Sequence, residues 1–129
     1  MTDLNEVIKT STVVVHPGRY AYLKGNETEI KEHFLISKDK DETTIVTEEK
    51  NIVNTKYEKD VKWFKLVEIK VSMPFVAKGF LAKITKTVTE KDLNILVVST
   101  FSKDYILVME ETWEVAIKAL EEVGFPIEQ

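Results

Sequence analysis

The chain contains no cysteine, which excludes a disulfide framework, a thiolate metal site and a cysteine nucleophile. It also lacks any apolar run close to the roughly 20 residues of a membrane-spanning helix. Its N-terminal segment is polar and acidic and lacks the apolar core of a signal peptide. We therefore expect a cytoplasmic protein with no membrane partner.

The motifs of common enzyme classes are missing as well. The sequence contains no Walker loop, no G-x-G-x-x-G and no G-x-S-x-G. Its two histidines, His16 and His33, fall in different predicted elements without the spacing of metal ligands. Glu110 and Glu111 suit a helix start, where the helix dipole favours negative charge, better than an acid–base pair. We expect no catalytic residues, no metal and no cofactor, and hence no enzyme.

The composition is that of a folded globular protein. Of the 129 residues, 43% are hydrophobic and 31% are charged, and this length suits one domain or two very small ones that share a core. The net charge of -4 argues against a nucleic-acid partner. Lys78-Gly79-Phe80 resembles an RNA-recognition motif, but here it opens a predicted helix instead of lying on a strand.

Alternating and β-branched segments predict seven strands. They are Thr12–His16, Arg19–Lys24, His33–Ser37, Thr43–Glu48, Trp63–Ser72, Ile95–Phe101 and Asp104–Met109. The apolar character of Ile95–Phe101 indicates a strand that is not an exposed edge. Residues 1–10 are expected to form a loosely held leader, and Phe125–Ile127 is a candidate for a short last strand.

Two helices are predicted from apolar stripes at helical spacing. The first follows a break at Pro74, has its stripe at Ala77, Leu81, Ile84 and Val88, and ends by Asp92 or Asn94. The second has its stripe at Trp113, Ala116, Ile117, Leu120 and Val123, with Gly124 in place as its C-terminal cap. The order of elements from Trp63 onward is that of a ferredoxin-like α+β fold, in which two helices cover one face of an antiparallel sheet.

One candidate binding site combines Gly79 with small polar residues around the predicted turn at Ser102-Lys103. A glycine near a helix start leaves backbone N–H groups open to a carboxylate. Close packing of the helix on the sheet is an equally good explanation of this glycine. Thr100 and Asp104 can be ordinary turn residues. Taken together, they favour a site in which backbone amides hold an α-carboxylate and Asp104 holds an ammonium group.

Several segments carry a resemblance to a known family. They are Val15-His16-Pro17-Gly18-Arg19-Tyr20-Ala21, the hairpin of Phe34-Leu35-Ile36-Ser37 with Ile45-Val46, Trp63, Gly79-Phe80-Leu81-Ala82, and Ser99-Thr100-Phe101-Ser102-Lys103-Asp104-Tyr105-Ile106-Leu107-Val108. The chain resembles the small tandem ACT-domain proteins of bacteria and archaea whose role is uncharacterised. It is more distantly similar to the animal cytosolic arginine sensor.

The resemblance implies two ferredoxin-like ACT modules, a helix-poor one at 12–61 and a second at 62–129. It implies a homodimer and a small ligand, usually an amino acid, bound between modules. Gly79, Thr100 and Asp104 would line that site, with Phe80, Ser99 and Phe101 beside them. The resulting hypothesis is a non-catalytic, amino-acid-binding regulatory or sensor protein. The alternative is a protein–protein interaction or assembly module whose ligand pocket is vestigial.

Overall fold

The computed structural model describes residues 3–26, 28–52, 61–72 and 78–128. Within these ranges lie three α-helices, one 3-10 helix and seven strands. The helices are α1 (Leu4–Lys9), α2 (Phe80–Thr89) and α3 (Trp113–Glu122), with the 3-10 helix at Glu49–Ile52; the strands are β1 (Thr12–Val15), β2 (Tyr20–Lys24), β3 (Leu35–Lys38), β4 (Thr43–Glu48), β5 (Lys62–Lys70), β6 (Ile95–Ser99) and β7 (Asp104–Met109).

The chain divides into two compact units. One, termed the inserted unit, comprises Pro17–Lys65. The other, termed the flanking unit, comprises Met1–His16 and Leu66–Gln129, so that the inserted unit separates its two segments along the chain. The sequence-based division into modules at 12–61 and 62–129 stays a prediction.

The inserted unit is a sheet with strand order β3-β4-β2-β5. The pairings of β3 with β4, β4 with β2, and β2 with β5 are all antiparallel. Since side chains alternate across a strand, one face of this sheet carries the buried apolar residues Ala21, Leu23 and Ile45, and these pack with Ile30 and Ile52. The 3-10 helix is the one helical element that the described residues of this unit contain, in agreement with the predicted helix-poor first half.

The flanking unit is built on the second half of β5. β1 pairs with it antiparallel from Thr12 opposite Lys70 to Val15 opposite Val67. β7 is the next strand in the order, and β6 lies beyond β7. β6 and β7 form an antiparallel hairpin that ends at the pair Ser99 and Asp104.

All three helices of the flanking unit contribute to one apolar core. Strands supply Val67, Ile69, Ile106 and Val108, and the helices supply the residues that pack on them: Val7 and Ile8 from α1, Phe80, Ile84 and Val88 from α2, and Ala116 and Leu120 from α3. Odd-numbered positions of β5 and even-numbered positions of β7 therefore face the helices. The fold is α+β and of the predicted ferredoxin-like type.

The helix ends confirm one local prediction and correct another. α3 ends with a backbone hydrogen bond from Phe125 N–H to the Leu120 carbonyl and one from Gly124 N–H to the Glu121 carbonyl, and Gly124 has a φ of 115°. This is the Schellman arrangement that the position of Gly124 predicts. In α2, Phe80 occupies the core, whereas Leu81, predicted to lie in the stripe, is exposed. Pro74 and Ala77 lie outside the described residues.

The predicted loose leader is wrong. Asp3 accepts a hydrogen bond from Asn5 N–H at 3.0 Å and caps α1, whose residues Val7 and Ile8 are each only 1% exposed. Burial of these two side chains in the flanking unit's core stabilises a helix that is too short to be stable by itself.

Two strand predictions also need correction. β6 lies at the end of the strand order and is an edge strand, although its apolar sequence predicts otherwise. The strand is apolar because it packs against the core, as its residue Ile95 does. The apolar sequence does not indicate how many strands pair with β6. Within the predicted last strand, Ile127 alone forms a bridge, a parallel one with Val13 of β1.

None of the helices that the structure describes is long enough and apolar enough to span a membrane.

The burial of α1 predicts that Ile8→Ala destabilises the protein by about 2–5 kcal/mol, because it removes a fully enclosed side chain and leaves a cavity. Chemical denaturation followed by circular dichroism measures this free energy. The matched control is Lys9→Ala, at the exposed neighbouring position, which we expect to change stability by less than about 0.5 kcal/mol. Equal effects of the two substitutions would show that α1 is not part of the core.

Candidate functional site

Four of the predicted site residues come together in the hairpin between β6 and β7. Ser99 and Asp104 are register partners, and the Ser99 hydroxyl donates a hydrogen bond to the Asp104 carboxylate at 2.7 Å. The turn between them is closed by a hydrogen bond from Thr100 N–H to the Lys103 carbonyl at 2.9 Å. Phe101 lies at the tip and is 87% exposed. The hairpin therefore presents an oriented carboxylate beside two hydroxyl groups.

Gly79 and Phe80 lie at the start of α2. Gly79 is the N-cap residue with φ at 81° and ψ at 1°, a left-handed conformation that glycine adopts without strain. Among the described residues, no side chain caps this helix end, so none of them competes with a ligand for its first N–H groups. Phe80 is 4% exposed and packs edge-on against Phe125, with ring centroids 5.7 Å apart. Its side chain thus anchors the helix start in the core.

A buried carboxylate lies on the face of β5 opposite the helices. Glu68 is 5% exposed, and its Oε1 atom lies 2.8 Å from His16 Nε2. Its Oε2 atom is enclosed and has no hydrogen-bond partner within the described part of the chain. Lys103 Nζ lies 3.2 Å from Oε2 and forms an ion pair with it. We term Glu68, His16 and Lys103 the buried triad after its buried carboxylate, since the His16 and Lys103 side chains are 31% and 41% exposed.

Glu68 and Lys103 shift each other's pKa. Burial alone would raise the pKa of Glu68, but the hydrogen bond with His16 and the positive charge of Lys103 outweigh it, and the pKa of Glu68 lies below its ordinary value. Interaction with Glu68, followed by the field of Tyr105, raises the pKa of Lys103. The carboxylate is therefore ionised at neutral pH and holds the ammonium group of Lys103 next to it.

The buried triad positions the predicted site. Lys103 is the residue whose carbonyl closes the hairpin turn, and its ammonium group reaches a carboxylate on β5. Tyr105, 8% exposed, lies one residue beyond Asp104, and its ring centroid is 6.4 Å from that of His16. These contacts hold the hairpin and its Asp104 carboxylate at a defined place relative to β5.

The sequence analysis did not identify this triad. One signal was present, since Glu68 shares a strand face with the apolar residues Phe64 and Leu66, where a charged side chain is unexpected. The partners could not be found in the same way. His16 is 52 positions away in sequence, and Lys103 occupies a turn where a lysine is ordinary.

The comparisons with known proteins identify an ACT domain. The family model described as ACT domain matches residues 58–122, half of the chain, and this range includes Gly79, Glu68 and the β6–β7 hairpin. No protein among those with curated descriptions matches the sequence.

Solved structures share the fold. A Vibrio cholerae protein of unknown function, described as a possible transport protein, is 18% identical with a TM-score of 0.78, and the alignment covers 94% of this chain and 95% of that one. The Clostridium acetobutylicum aspartate kinase is 11% identical with a TM-score of 0.68, covering 86% of this chain and 34% of the kinase. The ligand-free regulatory subunit of aspartate kinase from Thermus thermophilus is 10% identical with a TM-score of 0.60, and the alignment covers 86% of this chain and 96% of that subunit.

The depressed pKa of Glu68 predicts a pH-dependent contribution to stability. The ionised carboxylate stabilises the folded state above its unfolded pKa, and this stabilisation is lost as the pH falls through the lower pKa of the folded state. The stability difference between the wild type and Glu68→Gln should therefore be fully present above about pH 5, at about 1–3 kcal/mol, and should shrink toward pH 3. Denaturant unfolding at a series of pH values measures it.

Glu128→Gln is the matched control, because Glu128 is half exposed and lies 3.8 Å from Lys70 in a surface ion pair. The Glu128→Gln substitution should lower the free energy of unfolding by less than about 1 kcal/mol at every pH. If the difference in unfolding free energy between the wild type and Glu68→Gln does not change between pH 5 and pH 3, the ionised state assigned to Glu68 is wrong.

Proposed function

Since the chain belongs to the ACT domain family, we propose that it is a non-catalytic regulatory protein that binds a small molecule, an amino acid in particular. The observation that carries the proposal is the family match over 58–122, which includes both parts of the predicted site. Two of the structural relatives support a regulatory role, since one is the regulatory subunit of aspartate kinase and the other is described as an allosteric enzyme.

The proposed ligand is held by its charged ends. Its α-carboxylate accepts hydrogen bonds from the first N–H groups of α2 next to Gly79, where the helix dipole favours negative charge. Its ammonium group pairs with the Asp104 carboxylate, which Ser99 orients through the 2.7 Å hydrogen bond. Thr100 and Phe101 border the ligand from the hairpin, and Phe80 keeps the start of α2 in place.

Regulation follows from the link between the hairpin and the buried triad. A ligand that contacts both α2 and Asp104 favours one hairpin position, and Lys103 transmits that preference to Glu68 on β5. A ligand can shift an equilibrium only by the difference in its affinity for the two states, and we assign that difference to the position of the hairpin. We further propose that the chain has the tandem ACT arrangement and functions as a homodimer. The change in hairpin position then alters the dimer interface.

The alternative function, an interaction or assembly module with a vestigial pocket, is favoured by β6. This strand ends the sheet order, and its residue Val97 is 37% exposed. An edge strand with apolar side chains is a surface on which a strand from another chain can pair. The two functions differ in one property, because only the first requires the Asp104 charge.

A thermal-shift screen of the protein against the twenty amino acids tests the proposed function. An amino acid at a hundred times its dissociation constant should stabilise the folded state by about 2.7 kcal/mol, a shift of several degrees in Tm. In Asp104→Asn the shift should vanish, because the amide retains the shape and the contact with Ser99 but not the negative charge.

Asp41→Asn, in an exposed turn of the inserted unit, is the charge-matched control and should keep the full shift. The Tm of Asp104→Asn without ligand should equal that of the wild type within a few degrees, which separates loss of binding from loss of folding. Absence of a shift with every amino acid, or a shift that survives in Asp104→Asn, would refute the proposed site.

A further inference from the structure

The inserted unit contains a surface cavity of about 300 Å³. It lies at the end of the sheet where β2 is flanked by β4 and β5, and Leu23 and Val61 form part of its wall. Small-molecule pockets in proteins have volumes of roughly 300–1,000 Å³. The cavity therefore has the size for a small metabolite and is too small for a nucleotide cofactor.

Among the described residues, five polar side chains line this cavity: Tyr22, Lys24, Glu42, Thr44 and Lys62. Their side-chain polar groups form no hydrogen bond and no ion pair with any residue that the structure describes. This contrasts with Arg19, in the same unit, which is paired with Glu49. Two ammonium groups, one carboxylate and two hydroxyl groups are thus available to a ligand within one concave surface.

The strand register places the two lysines on one face. Lys62 on β5 is the register partner of Tyr22 on β2, and Lys24 lies two residues beyond Tyr22 on the same strand and hence on the same face. Lys24 and Lys62 are therefore diagonal neighbours, and such neighbours lie about 7–8 Å apart, with their Cβ atoms somewhat closer. This spacing lets two ammonium groups contact two different anionic groups of one short molecule.

The remaining groups define the chemistry of the ligand further. Thr44, the register partner of Lys24, adds a hydroxyl group beside the first lysine. The ring of Tyr22 is held edge-on against Phe64, with centroids 5.9 Å apart, and provides a fixed wall. Glu42 precedes β4 and is the one carboxylate that the described residues contribute to the lining. It excludes a ligand that is anionic throughout and favours one that also carries a cationic group.

We propose that this cavity is a second binding site, specific for a short acidic amino acid such as glutamate or aspartate. Its two carboxylates pair with Lys24 and Lys62, its ammonium group pairs with Glu42, and the hydroxyl groups of Tyr22 and Thr44 complete the hydrogen bonds. The net charge of +1 from the three ionised side chains complements the net charge of -1 of such an amino acid at neutral pH. This site is independent of the proposed function, because it shares no residue with the α2 and hairpin site.

Titration of the full chain with L-glutamate and L-aspartate, followed by two-dimensional 1H–15N NMR, tests the proposal. We expect saturable shifts of the amide signals of Tyr22, Lys24, Thr44 and Lys62 that persist in Asp104→Asn. Lys24→Ala combined with Lys62→Ala should weaken binding at least tenfold, or about 1.4 kcal/mol. The control pair Lys31→Ala with Lys40→Ala, in the same unit and outside the cavity lining, should bind as the wild type does.

Two further ligands test the role of each charge. Glutarate lacks the ammonium group and L-glutamine lacks the second carboxylate, so both should bind the wild type several-fold more weakly than glutamate does. Glu42→Gln should abolish the preference for glutamate over glutarate. All the substituted residues other than Asp104 are exposed, and an unchanged Tm without ligand verifies their folding.

Three results would overturn this inference. One is the absence of saturable shifts at the cavity amides. Another is equal binding of inorganic phosphate and glutamate, which would indicate a general attraction of anions. The third is unaltered glutamate binding in the Lys24→Ala, Lys62→Ala variant. If shifts occur at Ser99 and Thr100 instead, the proposed function is supported while the second site is not.

Discussion

The alternation of side chains along β5 determines which residues each face of the flanking unit's sheet carries. Val67 and Ile69 are fully enclosed and face the helices, whereas Glu68 between them points to the opposite face. A shift of one residue would place the carboxylate in the apolar core, where an unpaired charge costs several kcal/mol. The register of β5 with β1 is therefore strongly specified, and the position of the buried triad follows from it.

The hairpin depends on this register in turn. Lys103 holds the turn to Glu68 on β5, and the same turn sets the pair of Ser99 and Asp104 that ends the β6–β7 ladder. Core packing, a buried ion pair and a polar hairpin thus form one continuous series of contacts. This series joins the hairpin that carries Asp104 to the central strand β5.

Several elements could be predicted because their signals are local. The strands Thr43–Glu48 and Asp104–Met109 have the predicted bounds, since alternation and turn residues report directly on a strand. The position of Gly124 in the sequence predicted the cap that ends α3. By contrast, α1 has only six residues, too few for a helical period to show, and it is ordered by tertiary packing. The edge position of β6 could not be predicted either, because the sequence of a strand does not indicate how many strands pair with it.

The sequence by itself determined the type of most elements, the turn at the β6–β7 hairpin and the resemblance to the ACT family. Tertiary structure alone decided which distant side chains meet. His16 and Glu68 are 52 positions apart, and Lys24 and Lys62 line one cavity only because β2 and β5 pair. The physical reason is that propensity, capping and alternation act within a few residues of the chain. Ion pairs and cavities depend on strand neighbours, which are selected by the packing of the whole core.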